Sequence, residues 1–152
     1  GVKLLHENQK QKELLLSDSA LMPNFINETV RFVSPVIHMR RTSLEETEIN
    51  GQKIGPYEKI ALWYGAANRD PDIFSDPDKF NILRENADKH LAFGIGRHTC
   101  LGKPIALMQL QEFYSQFLTR FNDFQMNGEW KVAPNNFVHA IQEMPIKFSP
   151  KK

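Results

Sequence analysis

Cys100 is the only cysteine in the chain of 152 residues, and its setting is the clearest chemical signal in the sequence. It lies in segment 93–102, which reads FGIGRHTCLG and runs directly into an apolar helical pattern. A thiolate at the start of a helix is stabilised by unpaired backbone N–H groups and by the positive end of the helix dipole. The glycines allow a tight turn around the sulfur and the close approach of a flat partner. A soft thiolate held in this way suits a metal ion.

Other chemistries are open to the same cysteine. An isolated cysteine is commonly a small buried hydrophobic residue. A cysteine near a histidine can also act as a nucleophile, which here would pair Cys100 with His98 or His90 in a hydrolase. A lone thiolate can instead be the axial ligand of a haem iron. The residue types alone leave these interpretations open.

The composition narrows the class of protein. Hydrophobic residues make up 41% and charged residues 24% of the chain, as in ordinary globular domains. The net charge is +1 and no basic stripe is present, which argues against a nucleic acid partner. No run of ~18 apolar residues suggests a membrane span. A single cysteine fits a reducing compartment, and the N-terminus carries no signal-peptide pattern, so we expect a cytoplasmic protein.

The periodicity of apolar residues and the turn formers predict an α+β domain that is mainly helical, with small β-hairpins at one side. The dipeptide Asn50-Gly51 is a strong hairpin signal. Repeated Asp-Pro turns predict a long irregular stretch, and such a stretch is usually functional or tightly held. The predicted elements are a helix over 6–16, a helix over 19–33, a β region over 36–63, an irregular meander over 68–91, the cysteine loop over 93–102, a long helix over 101–121 and C-terminal strands over 124–149.

A charged pair stands out on the second predicted helix. Glu28 and Arg31 are three residues apart and share a face of the helix. On an exposed surface such a pair contributes little to stability. A buried guanidinium, in contrast, can bind a carboxylate bidentately and hold backbone that lacks regular hydrogen bonds. The pair is followed by SPV at 34–36, by ANRDP at 67–71 and by an Asp-Pro segment that ends at Arg84.

Together these segments resemble the cytochrome P-450 family. The haem-ligand loop of that family reads Phe-x-x-Gly-x-(Arg or His)-x-Cys-x-Gly, and segment 93–102 fills every fixed position. The family's Glu-x-x-Arg signature matches Glu28 and Arg31, upstream of the loop as in the family. The resemblance runs over essentially the whole chain and is to soluble bacterial members. It implies a single unit, 1–152, that forms the C-terminal, proximal part of the P-450 fold.

The resemblance also implies a cofactor, haem b, with Cys100 as the axial ligand of the iron. Phe93 would shield the thiolate, and the N–H groups near Leu101 and Gly102 would hydrogen-bond the sulfur. The implied cofactor-binding residues are Cys100, Phe93, His98, Arg40, Gly94 and Gly102, of which Arg40 and His98 would pair with haem propionates. The implied ion network, which would hold the irregular segment beneath the haem, consists of Glu28, Arg31 and Arg84.

The function implied by the resemblance is monooxygenation, in which one oxygen atom of O2 enters a small apolar substrate. A ferredoxin- or flavodoxin-like protein would supply electrons, docking near Arg97 and Lys103. The oxygen-activating helix of complete family members has no match here, so we assign no catalytic residue and expect no turnover by this segment alone. We expect a piece of a longer enzyme, whose exposed apolar surface allows dimerisation. The alternative is a non-catalytic haem-binding or structural module derived from the same family.

Overall fold

The computed structural model of the chain describes residues 1–121 and 123–149. Within these residues the α-helices are α1 (Val2–Glu7), α2 (Gln9–Ser17), α3 (Met22–Val33), α4 (Tyr64–Ala67) and α5 (Lys103–Arg120). Short 3-10 turns lie at Ser19–Leu21, Ala87–Lys89 and Gly96–His98. The strands are β1 (His38–Thr42), β2 (Thr47–Ile49), β3 (Gln52–Ile54), β4 (Lys59–Trp63), β5 (Asp123–Met126), β6 (Lys131–Val132), β7 (Ile141–Glu143) and β8 (Ile146–Ser149). Helices combined with small sheets confirm the predicted fold class.

The centre of the hydrophobic core is α3. Its residues Phe25 and Ile26 are buried, and the ring of Phe25 meets the ring of Tyr114 on α5 edge-on, with centroids 4.8 Å apart. Burial of one large apolar side chain contributes about 1.5–3 kcal/mol, so this contact fixes α3 against α5. Leu5 of α1 and Phe124 of β5 close the same core. Apolar packing alone therefore holds the helix that carries Glu28 and Arg31 in place, independently of its charged groups.

The single predicted helix over 6–16 is wrong, because the chain forms two helices that meet at Asn8. Asn8 has φ −122° and ψ 70°, and its side-chain amide donates to the carbonyl of Leu4 at 2.9 Å. Asparagine bonds its neighbouring backbone in competition with the helix, which ends α1 here. The helix predicted over 19–33 opens with a 3-10 turn, in which the Asp18 carboxylate accepts from the N–H of Ala20.

The strands form four separate antiparallel pairs among the described residues: β1 with β4, β2 with β3, β5 with β8 and β6 with β7. Asn50 and Gly51 form the tight turn between β2 and β3, with φ 50° and 80°. Two consecutive left-handed residues are what a type I′ hairpin turn needs, and this explains the Asn-Gly pair. In the β1–β4 pair, Arg40 lies opposite Ala61.

Residues 68–91, called the meander from here on, lack strands and contain only a 3-10 turn at Ala87–Lys89. The short helix α4 directly before them was not predicted. The long helix begins at Lys103, later than the predicted residue 101, because Gly102 is its N-cap and Pro104 lies in its first turn. None of the described helices is long and apolar enough to cross a membrane.

Candidate functional site

The loop over 93–102, called the cysteine loop from here on, is closed by backbone hydrogen bonds. The N–H of Cys100 donates to the carbonyl of Phe93 at 2.8 Å, and the N–H of Gly94 donates to the carbonyl of Leu91 at 2.8 Å. The hydroxyl of Thr99 donates to the carbonyl of Gly96 at 2.9 Å. These bonds return the chain to its starting point, so Cys100 sits beside the backbone of Phe93.

Gly94 is a position in this loop where a side chain would be strained and crowded. Its φ is +73°, and a Cβ atom there would lie 3.1 Å from the carbonyl oxygen of His98 and 3.5 Å from the hydroxyl of Tyr64. A left-handed backbone and a tight carbonyl contact both favour glycine. Tyr64 also donates its N–H to the carbonyl of Ile37, so it links the cysteine loop to the segment that enters β1.

The thiol of Cys100 is exposed and lies directly before α5. The Cβ position of Gly102 is 3.7 Å from the sulfur, so a glycine there leaves the sulfur close to the backbone. Within residues 1–121 and 123–149, the N–H groups of Leu101 and Gly102 have no hydrogen-bond partner, the sulfur included. The expected bonds from these N–H groups to the sulfur are therefore absent, although the free N–H groups do lie at the start of the helix.

The surface beside the thiol is apolar. Leu101 is 97% exposed and Met108 64% exposed, with Ile105 between them on the same face of α5. Ile95 is also exposed, on the other side of Cys100 in sequence. An exposed sulfur flanked by large apolar side chains fits a broad, flat, apolar cofactor with a metal centre, and haem is such a group.

Phe93 joins the cysteine loop to the core. It is half-buried and packs against the core cluster, and the ammonium group of Lys103 lies 5.8 Å from the centre of its ring. Arg40 and His98, the two residues expected at the propionates, are both exposed, on β1 and in the 3-10 turn of the loop.

Glu28, Arg31 and Arg84 come together in the interior. Glu28 and Arg31 are fully buried, and Arg31 binds the carboxylate bidentately, with N···O distances of 2.7 and 2.9 Å. Nε of Arg84 donates to both oxygens of the same carboxylate, at 3.1 and 3.3 Å. The N–H of Asn81 donates to it as well, at 2.9 Å. One carboxylate therefore serves two guanidinium groups and a backbone N–H.

The remaining guanidinium N–H groups bind backbone carbonyls of the meander. Arg31 donates to Asn68 at 2.6 Å and to Pro77 at 3.0 Å. Arg84 donates to Ser75 at 2.6 Å, and to Asp76 and Lys79 at 3.1 Å each. Carbonyls that have no partner in a sheet or helix are satisfied in this way by buried side chains, as backbone groups turned away from water require.

The sequence analysis did not assign a role to Asn68 or Ser34. Asn68 is fully buried, and its side chain donates to the hydroxyl of Ser34 at 2.9 Å. Ser34 has φ 46° at the C-cap of α3 and donates to the carbonyl of Arg31 at 2.9 Å. In the sequence, only their positions within the SPV and ANRDP segments could have indicated a structural role for Ser34 and Asn68.

His90 is a buried histidine directly before the cysteine loop. Its ring lies 5.7 Å from that of Phe93, its Nδ1 accepts from the N–H of Ala92 at 3.3 Å, and its Nε2 is buried without a partner in the described chain. Burial lowers the pKa of His90 to about 4, and the positive charge of Lys103 adds to this effect. The imidazole is therefore neutral near pH 7.

Comparison with known proteins defines the class. The family model for cytochrome P-450 matches residues 3–149, so the chain belongs to the cytochrome P-450 family. It is 38% identical over 95% of its length to cytochrome P-450-terp of a Pseudomonas species, of which it covers 34%. It is 36% identical over 97% of its length to linalool 8-monooxygenase of Pseudomonas putida, of which it covers 36%.

A solved structure agrees with these relatives. Cytochrome P-450-153 from Novosphingobium aromaticivorans superposes with a TM-score of 0.91 at 38% identity, over 96% of this chain and 37% of that one. The chain therefore has the fold of part of a P-450 and spans about a third of the length of the relatives it matches.

Replacement of Arg31 tests the ion network. We expect Arg31→Ala to lower the free energy of unfolding by ~3–5 kcal/mol, because it removes the bidentate partner of a buried carboxylate. Lys79→Ala is the matched control, since its pair with Asp76 lies in the same meander but is exposed, and it is expected to lose less than ~1 kcal/mol. Denaturant unfolding of both variants measures the difference. A well-folded and fully haem-loaded Arg31→Ala protein would contradict the expectation.

The lowered pKa of His90 leads us to expect a smaller free energy of unfolding in acid. Its pKa is about 4 when folded and 6.5 when free, so below pH 6.5 the unfolded chain binds a proton that the folded chain does not. Stability contributed by this group is complete above pH 6.5 and falls towards pH 4, by about 2 kcal/mol at pH 5. Unfolding measured from pH 7.5 to pH 5 should show a smaller loss in His90→Asn, whose side-chain oxygen can still accept from Ala92.

The exposed His139 gives the control for this measurement, since His139→Gln should keep the pH dependence of the original protein. Equal pH dependence in the original protein and in His90→Asn would show that His90 is not the group responsible.

Proposed function

We propose that the chain is the haem-binding portion of a cysteine-thiolate monooxygenase, with haem b as its cofactor. The observation that carries this proposal is the exposed thiol of Cys100, which stands at the start of α5 among apolar side chains in a loop closed onto Phe93. Membership of the cytochrome P-450 family supports the same cofactor. Relatives are named linalool 8-monooxygenase and steroid C26-monooxygenase, which supports an apolar substrate.

In this proposal Cys100 ligates the haem iron as a thiolate. The free N–H groups of Leu101 and Gly102 stabilise the negative charge electrostatically, since they lie at the positive end of α5. Phe93 keeps water from the sulfur, and Gly94 and Gly102 allow the backbone to lie close to the ring. Arg40 and His98 would bind the propionates, because N–H donors on separate elements can each bind one carboxylate. When bound, the haem supplies the redox chemistry that inserts one atom of O2 into a substrate.

Activity belongs to the whole protein in this proposal. The described residues lie on one side of Cys100, and we assign no catalytic residue among them. We therefore expect this segment alone to be inactive. Residues 1–152 form one unit of the larger protein, with the element boundaries given above. The single cysteine supports a cytoplasmic location. Association of two copies through the apolar surface that the missing part of the protein would otherwise cover stays a prediction.

The electron donor is proposed to be an acidic ferredoxin- or flavodoxin-like protein. Arg97 lies in the cysteine loop and Lys103 at the start of α5, so both place positive charge next to the ligand. Opposite charge accelerates the encounter of two proteins and makes it sensitive to salt. The double variant Arg97→Glu/Lys103→Glu should therefore slow electron transfer and weaken its salt dependence. An unchanged salt dependence would refute this docking site.

Replacement of the ligand tests the proposed function directly. In the haem-loaded gene product that contains this chain, we expect a ferrous–carbonyl complex with the strongly red-shifted Soret band of thiolate ligation. Cys100→Ser should abolish this band, because a hydroxyl does not replace a soft thiolate. Arg97→Ala, an exposed neighbour in the same loop, should retain it. A red-shifted band that survives Cys100→Ser, or a nitrogen ligand in the original protein, would contradict the proposal. Haem binding without oxygenated product would instead support a non-catalytic module.

A further inference from the structure

We propose that Asn68 is a positioning residue for the haem ligand, which connects the buried ion network to the cysteine loop. The proposal rests on the function proposed above, in which Cys100 ligates the iron. It assigns no catalytic step to Asn68, since this residue would act only through the backbone of the loop.

Every polar group of Asn68 has a partner. Its N–H donates to the carbonyl of Tyr64 at 2.9 Å, and its own carbonyl accepts from Nη1 of Arg31 at 2.6 Å. The side-chain Nδ2 donates to Ser34 at 2.9 Å, and Oδ1 accepts from the N–H of Leu91 at 2.7 Å. The residue is 0% exposed, so water cannot replace these partners without a large rearrangement.

The hydrogen bond between Asn68 and Leu91 lies two residues before the start of the cysteine loop. Leu91 accepts from the N–H of Gly94, and Phe93, which lies between them, accepts from the N–H of Cys100, both at 2.8 Å. Asn68 therefore fixes the backbone at the point where the loop begins and to which it returns. Two hydrogen bonds, Asn68 to Leu91 and Phe93 to Cys100, together with the short backbone segment 91–93, connect the asparagine side chain to the backbone of the ligand.

The other contacts of Asn68 lead to the ion network. The Arg31 guanidinium that binds its carbonyl also binds Glu28, and Ser34, which accepts from its side chain, caps the end of α3. Asn68 is thus bonded to α3 on one side and to the entrance of the loop on the other. Asparagine suits this place because one short side chain offers a donor and an acceptor in opposite directions.

The test compares a variant that removes both side-chain bonds of Asn68 with a variant that removes only one of them. Asn68→Ala removes the bonds to both Leu91 and Ser34, whereas Ser34→Ala removes the bond to Ser34 alone. In the haem-loaded gene product, we expect Asn68→Ala to accelerate hydrogen exchange of the Leu91 amide by about tenfold or more, the loss expected for one buried hydrogen bond. It should also shift part of the ferrous–carbonyl Soret band away from the thiolate position. Ser34→Ala should retain the Leu91 protection and the band.

Asn68→Asp provides a second variant if Asn68→Ala does not fold. It keeps an acceptor facing Leu91 and loses the donor facing Ser34, so protection of the Leu91 amide should persist. Loss of that protection in Asn68→Asp would overturn the proposal. So would an Asn68→Ala protein with unchanged Leu91 exchange and an unchanged band, or a Ser34→Ala protein that loses as much as Asn68→Ala.

These results are separable from failure of the proposed function. A gene product without a thiolate-type carbonyl band in its original form would refute Cys100 as the ligand. Leu91 exchange would in that case still report whether Asn68 holds the loop.

Discussion

The rest of the structure depends on one buried carboxylate that two guanidinium groups share. Glu28 is fixed on α3, which aromatic packing holds in the core, and it binds both Arg31 and Arg84. A buried ion pair adds little net stability compared with apolar residues, but loss of one member leaves an uncompensated charge. Here Arg31 and Arg84 also donate hydrogen bonds from their remaining N–H groups to backbone carbonyls of the meander. The network therefore substitutes for the hydrogen bonds that a helix or strand would have provided.

This arrangement explains how an irregular segment can present a precise loop. The meander has local turns but neither a strand nor an α-helix, and it leads into the turn that closes on Cys100. Core packing fixes α3, and the ion network on α3 fixes the meander. The hydrogen bonds of Leu91 and Phe93 then fix the position of the sulfur. A rigid support behind an exposed thiol lets a cofactor bind without a large ordering cost, which is the general advantage of preorganised sites.

The sequence predicted the parts that depend on short patterns. The cysteine loop and the Glu28–Arg31 pair follow from fixed spacings, and the Asn50-Gly51 turn follows from the dihedral angles that these residues tolerate. The break at Asn8 escaped prediction, because a single side-chain bond decided it against a continuous helical pattern. The contacts of Asn68 also escaped, since its partners lie far away in sequence and no local signal names them. Burial of His90 likewise depends on tertiary packing and not on its neighbours in the chain.

A double-mutant cycle between Glu28 and Arg84 tests the shared carboxylate most directly. The free energies of unfolding are measured for Glu28→Gln, for Arg84→Met and for the double variant, with the exposed pair Lys131 and Glu143 as a reference cycle. We expect the double variant to lose at least ~1 kcal/mol less than the sum of the single losses, since either single change already breaks the Glu28–Arg84 bonds and the double variant loses them only once. The reference pair should show a coupling below ~0.5 kcal/mol. Additive losses for Glu28 and Arg84, within ~0.3 kcal/mol, would contradict the role given to this network.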